Sequence, residues 1–422
     1  MKLHTSSGLR GTVTVPGDKS ISHRAVMLGA LADGETHISG FLMGEDCLST
    51  IDCFRKMGVQ IDVRDGGVTV HGVGLHGLRA PEGPLYTGNS GTTTRLLSGI
   101  LAAQPFPVSM TGDASIEQRP MGRIITPLRE MGADIRGRDG KYCPLHIAPA
   151  ALHGVRYEMP VASAQLKSAI LLAGLYADGV TEVVEPAPSR DHTERMLRAM
   201  GVQVEQDGCR VAVHAPLALR ACSIEVPGDI SSAAFFLTAG AIVPGSELTV
   251  KNVGINPTRD GVLEVLRAMG ADITCTNVRD AAEPVADLTV RASALHGTEI
   301  GGPLIPRLID ELPVLAVAAA FAEGETVIRD AQELKVKESN RIAAMVAELT
   351  RAGVDCTETA DGMVIRGGRP RGAAFETYRD HRIAMSMAVL ALGAAGESEI
   401  LDPGVVSISY PGFFDTLRQI GG

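Results

Sequence analysis

The 422-residue sequence predicts an α/β protein of two domains, each built from three repeated units in which sheets surround buried helices. Three observations lead there: a glycine phrase that returns six times, an interleaved series of wholly apolar helices, and a tetrapeptide that occurs twice at the repeat boundary.

The phrase reads FRKMGVQI at 54–61, LREMGADI at 128–135, LRAMGVQV at 197–204, LRAMGADI at 266–273, LTRAGVDC at 349–356 and, truncated, LRQIGG at 417–422. Its glycines (58, 132, 201, 270, 353 and 421) are spaced 68 to 83 residues apart. Each copy reads as the end of an amphipathic helix, a glycine at the left-handed cap and then a β-rich strand. A period of this kind decides the fold before any motif does.

Between these phrases lie SHRAVMLGALADGETHI, GTTTRLLSGILAAQPFPV, SAQLKSAILLAGLYADGVTEV, DISSAAFFLTAGAIVPGSELTV, DELPVLAVAAAFAEGETVI and DHRIAMSMAVLALGAAGESEI. Each is a helix that is apolar on nearly every face, then a glycine turn and a short strand. Helices of this composition must be buried all round.

VPGD stands at 15–18 and again at 226–229, before the first and the fourth unit. Alone it is a good turn followed by an Asp N-cap. Its recurrence at the boundary makes it the place where the chain crosses between domains, 15–227 forming one and 1–14 with 228–422 the other. The strand before Val15 is expected to complete the sixth unit. The two crossings serve as a hinge, and the domains are expected to close on ligand.

Composition narrows the function. A chain of this length exceeds one ordinary core. Its apolar runs are shorter than the roughly 20 residues that span a bilayer, the longest being LPVLAVAAAFA at 312–322, and the opening MKLHTSSGLR has no apolar targeting core. A cytoplasmic protein without a membrane partner is expected. Net charge is −10 without a long basic run, which argues against nucleic acid as partner. The seven cysteines contain no CxxC pair and read as free thiols, with neither zinc nor disulfides.

Chemistry-bearing residues gather at helix starts, where unpaired N–H groups and the helix dipole favour anions. DKSISHR (18–24) brings a lysine, two hydroxyls and an arginine, while GNSGTTTR (88–95) brings a glycine-lined turn and three threonines. EQRPMGR (117–123) sets Arg119 before a proline, in a segment that cannot yet be helical. SAQLKSA (163–169) and SRDHTER (189–195) present Ser163, Gln165, Ser189 and Arg190. The second half adds IDELP (309–313), ELKVKESNR (333–341) and RDHR (379–382). Singly, each of these side chains has an ordinary reading as a solvated cation or a cap. Together they load one topological position, repeat after repeat, with groups suited to phosphate and carboxylate.

In order along the whole chain, PGDKSISHR, GNSGTTTR, RPM, SAQLKSA, SRDHT, the aspartate of IDELP, VKESNR and DHR resemble the EPSP synthase family of 3-phosphoshikimate 1-carboxyvinyltransferases. The resemblance implies two inside-out α/β domains joined by two crossing strands. It also implies transfer of the enolpyruvyl group of phosphoenolpyruvate to the 5-hydroxyl of shikimate 3-phosphate, releasing phosphate, on the route to chorismate and aromatic amino acids. No cofactor or metal takes part, and a monomer is expected. By that comparison Lys19, Ser20, Arg24, Ser163, Gln165, Arg190, Asp310 and Lys337 hold shikimate 3-phosphate. Lys19, Gly91, Arg119, Gln165, Arg341 and Arg382 hold phosphoenolpyruvate. Asp310, Lys19, Lys337, Glu338 and His381 form the catalytic set, with Asp310 accepting the hydroxyl proton.

Two positions depart from the pattern. Ala164 stands where many members carry a second serine, and Ile408 where one branch carries a phosphoenolpyruvate-binding lysine. Alternatives are the sister enzyme that transfers the same group to UDP-N-acetylglucosamine, and a non-catalytic anion-binding protein on the same fold. The sister family works with a cysteine in a mobile loop; here the comparable stretch QPFPVSMTGDASIEQRPM has none.

Overall fold

The six phrase glycines adopt φ between 80 and 99° in the computed structural model, which describes residues 1–64, 66–280 and 282–421. Gly422, the last letter of the sixth phrase, lies outside the described residues. Only glycine takes this backbone without steric cost. Each glycine ends an amphipathic helix: Glu45–Lys56, Gly122–Glu130, His192–Ala199, Gly261–Ala268, Arg341–Arg351 and Phe413–Gln419. In the first five the glycine N–H and the next one reach back to two otherwise orphaned carbonyls, as Gly58 does to Arg55 and Val59 to Phe54. The arginine inside the phrase has a structural task as well. Arg55, Arg129, Arg198 and Arg267 donate to the backbone carbonyls of Ile61, Ile135, Val204 and Ile273 in the strand or turn that follows.

The apolar series forms the helices Lys19–Ala30, Gly91–Leu101, Ala164–Gly174, Ile230–Ile242, Leu312–Phe321 and His381–Gly393. Every residue of Ile230–Ile242 is buried, so the helix has no solvent stripe and depends on its neighbours for stability.

One strand plan serves the repeats. The strand after each buried helix lies parallel to an edge strand on one side. In the first five repeats its other side pairs antiparallel with a hairpin. In the second repeat, for example, the order is Leu85–Tyr86, Val108–Thr111, Tyr142–Ala148, Asp134–Arg138. That edge strand normally precedes its own buried helix. At the two VPGD segments the edges are exchanged. Arg10–Thr14 precedes the first buried helix yet pairs with Glu247–Gly254 of the fourth repeat. Ser223–Glu225 precedes the fourth buried helix yet pairs with Ala32–Ser39 of the first. The strand before Val15 therefore completes the fourth repeat rather than the sixth. Lys2–Leu3 supplies the antiparallel partner of Ser398–Ile400 in the sixth.

The chain divides into two compact units, Met1–Pro16 with Pro227–Gly422, and Gly17–Val226. Each has its own apolar core. In the first, Asp229 N–H donates to the Pro16 carbonyl (2.9 Å). In the second, a Cβ on Gly17 would lie 1.8 Å from the Gly40 carbonyl oxygen, so no other residue fits there. Among the described residues no helix is long and apolar enough to cross a membrane.

Candidate active site

In the unit Gly17–Val226 the starts of the three buried helices carry the polar groups. Asp18 caps the first by accepting from Ile21 N–H (2.9 Å), which leaves Lys19 and Ser20 in the opening turn. Lys19 Nζ lies 3.0 Å from the Asp46 carboxylate. Arg24, one turn further in and buried, donates from Nη1 to the Ser20 carbonyl (2.9 Å), from Nε to Thr193 (2.7 Å) and from Nη2 to Ser168 (2.8 Å). One guanidinium thereby ties the first buried helix to the third and to the helix after SRDH.

The second helix opens at Gly91 behind the cap Ser90, which accepts from Thr93 N–H. A Cβ on Gly91 would meet Arg95 Nη1 at 3.0 Å and Arg119 Nη1 at 3.4 Å. Two guanidinium groups thus converge on bare backbone at a helix N-terminus, an arrangement that favours an anion. Both are held from behind. Arg119, extended between a short helix and Pro120, donates to the Asn89 side chain (2.6 Å) and Ser115 (3.0 Å). Arg95 donates to Gln165 Oε1 (2.6 Å), whose amide donates to Thr92 (2.9 Å).

Gln165 follows Ser163, which caps the third buried helix. Arg190 is half-buried in the loop ahead of His192–Ala199. Beneath that loop Lys167, side chain 1 % exposed, pairs with Glu185 and Glu194, each at 2.7 Å, and donates to the Ser189 carbonyl. Burial opposes the ammonium charge, but the two carboxylates outweigh it and its pKa is raised. His23, also buried, hydrogen-bonds through Nδ1 with Thr50 (2.7 Å), and Thr50 continues to Thr93 (2.8 Å). Burial, with Lys19 and Arg24 nearby, pushes its pKa well below the usual histidine range and keeps the ring neutral.

The other unit gathers Asp310, Lys337, Glu338, Arg341, His381 and Arg382. Asp310, side chain 16 % exposed, faces Arg341 at 3.5 Å and Lys337 at 3.8 Å. Arg341 opens the helix Arg341–Arg351 behind the cap Asn340. It also pairs with Glu338 (2.6 Å) and forks onto Asp380. Asp380 caps His381–Gly393 by accepting from Arg382 N–H. Arg382 Nη1 in turn donates to the Asp310 carbonyl (2.9 Å). His381 is fully buried at the first position of that helix. Carboxylates, ammonium and two guanidinium groups thus interlock through three helix starts, with Lys337, Glu338 and Asp310 the more accessible members.

Several partners escape a reading of the motifs one at a time. Arg95 and Asn89 lie within GNSGTTTR and Asp380 within RDHR, yet nothing in those strings says that they orient Gln165, Arg119 and Arg341. Thr193 within SRDHTER and Glu311 within IDELP are equally silent about their partners, and Asp46 lies outside every one of these motifs. Ile408 ends a short turn, Pro403–Ile408. Among the described residues no group of three or more His, Cys, Asp or Glu side chains is arranged to hold a metal ion.

The chain matches the family model for EPSP synthase (3-phosphoshikimate 1-carboxyvinyltransferase) over residues 3–417. It is 60% identical over 428 residues to the 3-phosphoshikimate 1-carboxyvinyltransferase of Geobacillus kaustophilus, covering 100% of both chains. It is 58% identical to the protein of that name from Geobacillus thermodenitrificans over 426 residues, 100% of this chain and 99% of the other. A solved structure of EPSP synthase from Acinetobacter baumannii aligns with a TM-score of 0.89 at 49% identity, covering 99% of this chain and 97% of that one. On this agreement of sequence and structure along its whole length, the chain belongs to the EPSP synthase family.

Proposed function

We propose that the two clusters serve one reaction, in which the enolpyruvyl group of phosphoenolpyruvate passes to the 5-hydroxyl of shikimate 3-phosphate and inorganic phosphate leaves. Family membership supports the overall reaction. The observation that carries the assignment of roles is Asp310, a partly accessible carboxylate held beside one ammonium and one guanidinium group.

The chemistry has two reversible halves. A proton adds to the methylene carbon of phosphoenolpyruvate while the acceptor hydroxyl bonds to the neighbouring carbon and loses its proton. The resulting tetrahedral ketal then expels phosphate and gives up a proton from the new methyl group, which restores the double bond. Asp310 takes the hydroxyl proton, and Lys337, Glu338 and His381 complete the acid and base set around the methylene, with Lys19 on the other unit. Ser20, Arg24, Ser163, Gln165 and Arg190, with Lys19, Asp310 and Lys337, hold shikimate 3-phosphate. Phosphoenolpyruvate is held by Lys19, Arg119 and Gln165 around Gly91 and by Arg341 and Arg382. Fixed cations align the two polyanions and stabilise charge that develops as phosphate leaves. The reading includes a monomer working in the cytoplasm without metal or cofactor.

Phosphate release is the test, measured with phosphoenolpyruvate and either shikimate 3-phosphate or UDP-N-acetylglucosamine as acceptor. Turnover with the first alone is expected, and turnover with the second would overturn the reading. Asp310→Asn should lower kcat by about 10²- to 10⁴-fold while calorimetry still shows shikimate 3-phosphate binding.

A further inference from the structure

Five of the six buried helices are capped by the side chain at their N-cap position. Asp18, Ser90, Ser163, Asp229 and Asp380 each accept a backbone N–H from the first turn. In the helix Leu312–Phe321 that position is Glu311, and its carboxylate makes no cap hydrogen bond. Pro313 in the first turn removes one N–H that a cap could have taken.

The Glu311 carboxylate, wholly buried, points instead into a polar cluster. Ser231 donates to it, Arg259 Nη2 lies 3.6 Å away and Arg382 Nη1 3.9 Å away. The same Arg382 nitrogen donates to the carbonyl of the preceding residue, Asp310. Adjacent acids thus divide their tasks. Asp310 faces the accessible side with Lys337, while the buried Glu311 lies beside two guanidinium groups, Arg259 and Arg382. A buried carboxylate is costly unless hydrogen-bond donors and cations surround it, and here Ser231, Arg259 and Arg382 do so.

We propose that Glu311 is a positioning residue that sets Arg382 for phosphoenolpyruvate, its carboxylate diverted from the capping role kept in the other repeats. The inference rests on the assignment of Arg382 to phosphoenolpyruvate made above, and wild-type activity with the two substrates tests that assignment independently.

Glu311→Asp is the first variant to test. Aspartate keeps the charge and is an effective N-cap, but it is one methylene shorter and draws back from Arg382, Arg259 and Ser231 alike. We expect the KM for phosphoenolpyruvate to increase about tenfold, or 1.4 kcal/mol, with the KM for shikimate 3-phosphate within about twofold. Glu311→Gln, of native length without charge, should also raise the phosphoenolpyruvate KM selectively and keeps the test open if the aspartate variant does not fold. On an Arg382→Ala background either change should add almost nothing, because interacting residues are non-additive. Equal shifts in both KM values, a tighter phosphoenolpyruvate KM in the glutamine variant, or full additivity with Arg382→Ala would each overturn the proposal.

Discussion

Arg341 and Asp380 form a forked ion pair with almost no solvent access to either side chain: Nε reaches Oδ2 at 2.8 Å and Nη2 reaches Oδ1 at 3.2 Å. Burial opposes both charges. For Arg341 the attraction of Asp380 and Glu338 exceeds that penalty and its pKa is raised. For Asp380 the attraction of Arg341 does the same and its pKa is lowered. Asp380→Asn tests what the pair is worth. Asparagine still caps the helix, so the loss isolates the charge. Leaving a buried guanidinium short of its main partner should cost about 3 to 5 kcal/mol in chemical denaturation. The sign with pH follows from the lowered folded pKa. The stabilisation is complete above the unfolded aspartate value of about 3.9 and is lost as pH falls through the lower folded value. The acid limb of the wild-type stability curve below about pH 4 should therefore flatten in the variant.

Arg119→Ala should weaken phosphoenolpyruvate far more than shikimate 3-phosphate. Asn89 and Ser115 hold this guanidinium against Gly91, and neither is a partner of Arg24 in its hydrogen bonds to Ser20, Ser168 and Thr193. Removing one charge-assisted contact costs about 1.5 to 3 kcal/mol, or one to two decades of affinity. Calorimetry showing equal weakening of both ligands would refute the division of the site.

Thiol chemistry should be dispensable. All seven cysteines lie outside the helix-start motifs; burial also pushes Cys53 and Cys356 up to about 12 and Cys143 up to about 11, and a protonated thiol is a poor nucleophile. Alkylation by iodoacetamide at neutral pH should leave phosphate release unchanged. Inactivation with the fold intact would favour the sister enzyme.

His23 should make the protein acid-sensitive. Its folded pKa lies below the unfolded value of about 6.5, so between the two the unfolded chain binds the extra proton. Stability is full above that value and falls with acidification at up to about 1.4 kcal/mol per pH unit. His23→Asn retains a polar partner for Thr50 and cannot titrate. Its melting temperature should vary less than the wild type's between pH 6.5 and 5, and parallel curves would remove His23 as the cause.

Legibility in the sequence followed the range of the interactions. The phrase glycines were readable because a left-handed cap is a local demand that few other residues meet. The buried helices were readable because their apolar character runs around every face. Helix-start motifs announced themselves for the same reason, since caps and dipoles act within one turn. By contrast the Arg95–Gln165 and Arg24–Thr193 hydrogen bonds join residues 70 and 169 positions apart, and no local string encodes such a pairing.

The sequence by itself determined six helix–strand repeats, their left-handed turns and the placement of cations, hydroxyls and carboxylates at helix starts. All of these arise from steric and electrostatic preferences within a few residues. Tertiary structure alone decided which sheet each edge strand joined. Arg10–Thr14 and Ser223–Glu225 are both short strands before a VPGD turn, and either satisfies the same backbone hydrogen bonds. Their exchange between repeats is a non-local pairing, with partners about 185 to 240 residues away in the chain, and no preference within a few residues can encode it. It also decided that Asp310 looks outward while Glu311 looks inward, because the sequence shows only two adjacent acids and the packing of three helix starts assigns each its side.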